Sequence, residues 1–279
     1  MQNPVKSDGA STFFLGIGAQ KSGTSWLNNY LKSHPEVLMP PIKEMHFFGN
    51  RTKPNLKFFE RQVAFQEVVT AFTGKQNKKR VKTLQSRLSM RGDIDAYKRY
   101  FHDLLKSEKA YGEISPSYAY MDKIEFIKVR DSFPECKIIF LMRNPVDRAW
   151  SQMRFSHIKD TREELFDKAL KRMAEPAYIL RCDYKSTIET LMSIFPRNRI
   201  HFEFFECLFT QDAVDRICDF LGVPHKKAAL GRKQNAAYKA ALPTKLRREM
   251  VEILRPQYAF ANHFFETGLP RKWQDEGAL

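Results

Sequence analysis

Apolar residues fall in short runs separated by longer amphipathic stretches. Residues 13–17, Phe-Phe-Leu-Gly-Ile, form one run and Ala110-Tyr111-Gly112-Glu113-Ile114 a second. Lys137 to Met142 is the third and clearest, apolar at consecutive positions as a strand buried on both faces must be. The fourth is Arg199 to Phe205, where Ile200, Phe202 and Phe204 alternate with polar residues until Phe205 breaks the pattern. Helical periodicity occupies 56–72, 95–106, 122–132, 145–157, 163–174, 178–195 and 211–221. Thr244 to Phe265 reads as helix with breaks at Pro243 and Pro256, and the chain closes with Pro270-Arg271-Lys272-Trp273. Strands alternating with helices of this length predict an α/β fold: a single domain with a central, mostly parallel sheet flanked by helices. That domain is expected over 12–279, behind a flexible polar N-terminus 1–11. Region 49–92 reads as a variable insertion, and its most polar part, Gly74 to Lys82, as an exposed basic loop.

The composition agrees with a globular domain, 43% hydrophobic over 279 residues. No stretch approaches the roughly 18–20 apolar residues of a membrane span, and Met1 to Ser11 lacks the apolar run of a signal peptide. A cytoplasmic protein is expected. Cys136, Cys182, Cys207 and Cys218 form no C-x-x-C pair, so they read as reduced, buried thiols and no metal site is expected. The formal net charge of +15 points to an anionic partner: nucleic acid, a membrane surface, an acidic polymer or a phosphorylated small molecule. The 23 phenylalanines come partly in pairs, such as Phe47-Phe48 and Phe204-Phe205, that read as core rather than a base-stacking platform. No nucleic-acid module is present, so nucleic acid is not the expected partner. Oligomeric state is left open.

A loop with glycines between a buried strand and a helix binds phosphate, because free N–H groups and the helix dipole point at the anion. Gly18-Ala19-Gln20-Lys21-Ser22-Gly23-Thr24-Ser25 stands in such a place. It is not a Walker A loop, which would need glycine at positions 15 and 20, where Leu15 and Gln20 stand. Nor is it a dinucleotide fingerprint, since Lys21 occupies the third glycine position.

The stretch from Gly18 to Leu27 resembles the 5′-phosphosulfate loop, P-K-[ST]-G-T-[ST]-x-L, of the sulfotransferases that use 3′-phosphoadenosine 5′-phosphosulfate (PAPS), with Gln20 where many members carry proline. Arg143-Asn144-Pro145-Val146-Asp147-Arg148-Ala149-Trp150-Ser151 is similar to the family's R-[ND]-P-x-[DE]-R-x-x-S. Its physics is coherent alone: Arg143 follows a central strand, Pro145 suits a first helical turn, and Ser151, 8 positions on, returns to the same side after about two turns. Pro40 to Phe48 is similar to the P-x-K-E-x-x-F-F of carbohydrate-type and bacterial members, and Gly112 to Tyr118 to their G-E-x-[ST]-P-x-Y. Gly231-Arg232-Lys233 is loosely similar to their basic C-terminal loop.

The resemblance implies a phosphate-loop-like fold and transfer of a sulfuryl group from PAPS to a hydroxyl or amine, leaving adenosine 3′,5′-bisphosphate and needing no metal. It implies Lys21 at the reacting bond and Glu44 or His46 as the base, the choice between them open. Gln20, Lys21, Ser22, Gly23, Thr24, Ser25 and Trp26 would hold the donor with Arg143, Ser151, Gly231, Arg232 and Lys233. Tyr184 would contact adenine or pack. Glu44, His46, Phe48, Ser115 and Tyr118 would line the acceptor side. Arg148 reads as a helix-surface ion-pair partner of Asp147 or a neighbour. The acceptor is a carbohydrate or other small molecule, possibly acidic. Rival readings are a divergent P-loop nucleotide kinase and a non-enzymatic basic module that binds polyanions.

Overall fold

The computed structural model describes residues 11–49, 60–66, 69, 78–90, 92–156, 161–173, 175–230, 241–266 and 268–278. Among these residues five strands make one sheet: β1 (Thr12–Gly18), β2 (Val37–Leu38), β3 (Ala110–Ile114), β4 (Lys137–Met142) and β5 (Ile200–Phe204). They pair in the order β2-β3-β1-β4-β5, and every pairing is parallel. The chain builds β2 and β3 on one side of β1, then crosses to lay β4 and β5 on the other. The crevice at the carboxyl ends of β1 and β4 is therefore the switch point where such sheets bind ligands.

The apolar runs supply both faces of the sheet. Phe13, Leu15, Ile17, Ile138, Phe140 and Met142 enter one core, while Phe14, Ile139 and Leu141 enter the other. That is the two-residue period of a strand, hidden in the sequence because both faces are buried. Gly112 belongs to the same logic: a Cβ there would stand 2.0 Å from the Phe14 carbonyl oxygen across the β1–β3 ladder.

Among the described residues the bounded helices are α1 (Thr24–Lys32), α2 (Lys78–Met90), α3 (Ile94–Leu104), α4 (Lys123–Ser132), α5 (Pro145–Ser156), α6 (Arg162–Met173), α7 (Pro176–Leu180), α8 (Tyr184–Met192), α9 (Phe205–Leu208), α10 (Gln211–Leu221), α11 (Thr244–Phe265) and α12 (Arg271–Gly277), and residues 60–66 are helical too. A third core joins α5, α6 and α11 through Trp150, Met153, Leu165, Ala169, Met250 and Leu254.

Four local readings change. The segment expected as an exposed basic loop enters α2 at Lys78, and Val81, Leu84 and Arg87 of that helix are buried. The expected helix 178–195 divides at Arg181–Asp183, because Asp183 caps α8 by accepting from Ser186 N. Pro256 does not break α11: it sits on an exposed stretch, where water can satisfy the carbonyl its missing N–H leaves open. The two-residue β2 is too short to leave a sequence pattern. All four cysteines are free, three buried and Cys207 half-buried. No described helix is long and apolar enough to cross a membrane.

Candidate active site

The loop after β1 turns sharply. Lys21 adopts φ 69° and Gly23 φ 87°, both left-handed, and a Cβ on Gly23 would lie 2.6 Å from Leu208 Cδ2. Only glycine satisfies both demands at position 23. Helix α1 starts there without a side-chain cap, so the first-turn N–H groups of Thr24 and Ser25 have no intrahelical acceptor. Ser22 is fully buried and its Oγ has no hydrogen-bond partner among the described residues. Thr24 and Trp26 are buried as well, Trp26 stacking on Tyr30 at 6.0 Å.

Arg143 reaches this loop from the end of β4. Its Nη1 donates to the Lys21 carbonyl at 3.0 Å, and its guanidinium lies 4.2 Å from the Phe205 ring centroid. Its Nε is buried and unpartnered among the described residues. Tyr184 donates its hydroxyl hydrogen to the Arg143 carbonyl at 2.8 Å and stacks on Trp273, so here it positions the arginine. Ser151 is buried on α5. Arg148 is not at the helix surface: it is fully buried, donates Nε–H to Cys182 Sγ at 3.1 Å, and leaves Nη1 and Nη2 without hydrogen-bond partners among the described residues. The ion pairs of Asp147 go to Arg247 and Lys272 instead.

Lys21 sits among like charges. Burial, then Arg143, Arg154, Lys43 and Arg148, push its pKa below the ordinary value of 10.5. Its Nζ lies 4.0 Å from the Phe155 ring centroid. Unpartnered buried donors beside crowded cations are costly in a protein interior, and a bound polyanion would relieve both.

The second wall is the loop from Ile42 to Phe48, where Glu44 (φ 59°) and His46 (φ 47°) are also left-handed. Lys43 Nζ bridges the walls, 2.7 Å from Ser25 Oγ and 2.7 Å from Glu44 Oε1. His46 Nε2 faces Glu44 Oε2 at 3.3 Å, and its Nδ1 faces Ser117 Oγ at 2.8 Å. Burial raises the Glu44 pKa, but the hydrogen bond from His46 and the charge of Lys43 outweigh it and hold the carboxyl at about 2.

The strained loop is fixed from beneath by Glu113, fully buried at the end of β3. It accepts from Met45 N at 2.8 Å, Ser115 Oγ at 2.6 Å, Tyr97 Oη at 2.9 Å and Tyr118 Oη at 2.9 Å. The Tyr118 hydroxyl in turn accepts from Phe47 N and Phe48 N. Ser115, Tyr118 and Phe48, expected on the acceptor side, are buried, and all three take part in the hydrogen bonds that support the loop. Arg87, which no motif marked, comes from α2 to donate to the carbonyls of Met45 and His46. Gly231, Arg232 and Lys233 lie outside the described residues. Among the described residues no group of His, Cys, Asp and Glu side chains converges on a metal position.

A parallel sheet thus carries a lysine loop after β1 tied to an arginine after β4, with a carboxylate–histidine pair joined to the start of α1 through Lys43. The family model described as "Sulfotransferase family" matches residues 14–227, and the chain belongs to that family. It is 24% identical to a sulfotransferase from Alicyclobacillus acidocaldarius, covering 95% of this chain and 99% of that one with a TM-score of 0.64. The sulfotransferase domain of the Synechococcus PCC 7002 olefin synthase aligns at 16% identity and TM-score 0.52, over 96% and 99%. These two likenesses speak to fold. A curated relative, the membrane-associated sulfotransferase kil1 of Dictyostelium discoideum, is 23% identical over 143 residues, 51% of this chain. The match spans 22% of that longer protein, about a fifth of its length.

Proposed function

We propose that the chain moves the sulfuryl group of PAPS to a hydroxyl, or an amine, of a small-molecule or carbohydrate acceptor. The observation that carries this reading is the set of buried donors without hydrogen-bond partners among the described residues, Ser22 Oγ, Arg143 Nε and Arg148 Nη1 and Nη2, together with the crowded cation Lys21. Their chemistry fits a donor that carries several negative charges.

When bound, PAPS supplies the sulfuryl group, and its bridging oxygen keeps the electron pair of the S–O bond that breaks as the acceptor oxygen bonds to sulfur. Lys21 donates an N–H to that oxygen as charge develops, a stabilisation absent in the ground state. The N–H groups of Gly23, Thr24 and Ser25 hold the 5′-phosphate at the start of α1. Arg143 and Ser151 hold the 3′-phosphate, the group that ATP lacks. Glu44 takes the acceptor proton. Both imidazole nitrogens of His46 already face partners, so His46 orients the carboxylate. A pKa of about 2 keeps Glu44 ionised, with His46 and Lys43 paired to it.

The test is thermal stabilisation. Adenosine 3′,5′-bisphosphate should raise Tm in proportion to the logarithm of its concentration over its Kd, while ATP at the same concentration should do little. The reverse preference favours a kinase. Salt-sensitive binding of polyanions that survives loss of Lys21 and Arg143 favours a polyanion-binding module.

A further inference from the structure

Helix α12 closes on the corner between β4 and α5 that carries Arg143. Trp273 and Glu276, three positions apart on one helical face, are its buried residues, while Arg271, Lys272, Gln274 and Asp275 are exposed. Gly277 lets the helix sit close on α11, where a Cβ would lie 2.3 Å from Asn262 Nδ2. Glu276 Oε2 accepts from Asn144 Nδ2 at 2.9 Å and from the Tyr258 hydroxyl at 2.8 Å, and its Oε1 accepts from Arg247 Nε at 2.7 Å. Trp273 stacks on Tyr184 at 5.8 Å, and Lys272 pairs with Asp147.

These contacts converge on the segment from Arg143 to Asp147, directly or through Tyr184. The Tyr184 hydroxyl donates to the Arg143 carbonyl at 2.8 Å and accepts from Arg143 N at 3.4 Å. Asn144 is fully buried: its N donates to Glu206 at 2.9 Å, and its Oδ1 accepts from Asp147 N at 3.1 Å and so caps α5. A guanidinium stands at the end of a long side chain, so a small rotation of its backbone moves it by more than a hydrogen bond tolerates. Recognition groups have to be held within about 0.5 Å by the residues packed behind them. Among the described residues, no hydrogen bond or ring contact of Glu276 or Trp273 goes to the loop after β1 or to Glu44. Loss of either should therefore act on what Arg143 holds and spare the rest of the site.

We propose that Glu276 and Trp273 are positioning residues that aim the Arg143 fork, so that α12 sets the preference for a 3′-phosphorylated nucleotide over one without that phosphate. The inference rests on the assignment of Arg143 to the donor's 3′-phosphate made above. Affinities for adenosine 3′,5′-bisphosphate and adenosine 5′-monophosphate are measured by titration, and their ratio is the readout. Glu276→Gln leaves one acceptor oxygen where a carboxylate takes three donors. It should lower the ratio by about five- to twentyfold, with monophosphate affinity within about twofold of wild type. Added to Arg143→Ala, the same change should cost less than about twofold more, because a residue that acts through Arg143 then has nothing to position. Trp273→Phe keeps an aromatic ring in the core and should lower the ratio by about two- to threefold; it carries the test if Glu276→Gln does not fold. An unchanged ratio, equal losses for both nucleotides, or a full additive loss on top of Arg143→Ala overturns the inference while the donor reading stands. A wild type without preference for the bisphosphate overturns the donor reading, and the inference with it.

Discussion

Arg143 Nη1 donates to the carbonyl oxygen of Lys21 at 3.0 Å, which ties the residue after β4 to the loop after β1. Two segments more than a hundred positions apart are thereby registered at the carboxyl end of the sheet, and what one holds is felt by the other.

Arg143→Ala should weaken adenosine 3′,5′-bisphosphate binding by about 10- to 100-fold, the scale of one lost charge-assisted contact. Ser151→Ala should cost less, about five- to tenfold. Calorimetric titration with the bisphosphate reads both. Equal affinity before and after the Arg143 change removes it from the 3′-phosphate.

Lys21 carries a signature in the ligand-free protein. Burial and neighbouring cations depress its pKa, so the folded state disfavours the charged form. Between that depressed value and the ordinary 10.5 the unfolded chain binds more protons, and stability rises with pH. Lys21→Met should therefore raise Tm at pH 7, with the gain shrinking as pH approaches 10.5. A methionine variant that melts lower at pH 7 contradicts this account of the cation cluster.

The Glu44 carboxylate runs the other way. Its folded pKa of about 2 lies below the ordinary 4.5, so its pairing with His46 and Lys43 stabilises the fold above that range and is lost as pH falls through about 2. Glu44→Gln should lower Tm at pH 7 and converge with wild type in strong acid. Turnover should fall by at least about a hundredfold if the carboxylate takes the proton. Near-normal turnover in Glu44→Gln with a collapse in His46→Asn would assign the proton to His46.

Glu113→Gln replaces a buried acceptor of four hydrogen bonds by an amide with one acceptor oxygen. The expected cost is about 2–4 kcal/mol, seen as a Tm lower by several degrees. The Glu44 loop should loosen with it, so turnover should fall more than bisphosphate affinity. Unchanged Tm and turnover would show that Glu113 does not hold the loop.

The parallel sheet was legible because buried strands leave consecutive apolar runs, and Lys21 and Arg143 because glycine-rich loops and strand-end arginines leave local patterns. What stayed hidden is long-range. Arg87 supports the Glu44 loop from α2, a helix whose basic start looks like solvated surface until Val81 and Leu84 are seen buried beside it. Arg148 is hard to place from sequence because the neighbouring Asp147 invites an ion pair, whereas the helix turns that arginine inward to Cys182. The resemblance of Gly112 to Tyr118 to the family segment marks Ser115 and Tyr118, but not that both hydroxyls donate to the buried Glu113. Arg181 and Gln20 meet only through the fold.

The most direct measurement of the central claim is transfer of radiolabelled sulfate from PAPS to an acceptor pool, wild type against Lys21→Ala, with bisphosphate affinity measured on both. The account predicts labelled product from wild type, a loss of turnover of about 100- to 1,000-fold in the variant, and bisphosphate affinity retained within a few-fold. Labelled product formed equally by both proteins, or none from a wild type that ATP rather than the bisphosphate stabilises, would contradict it.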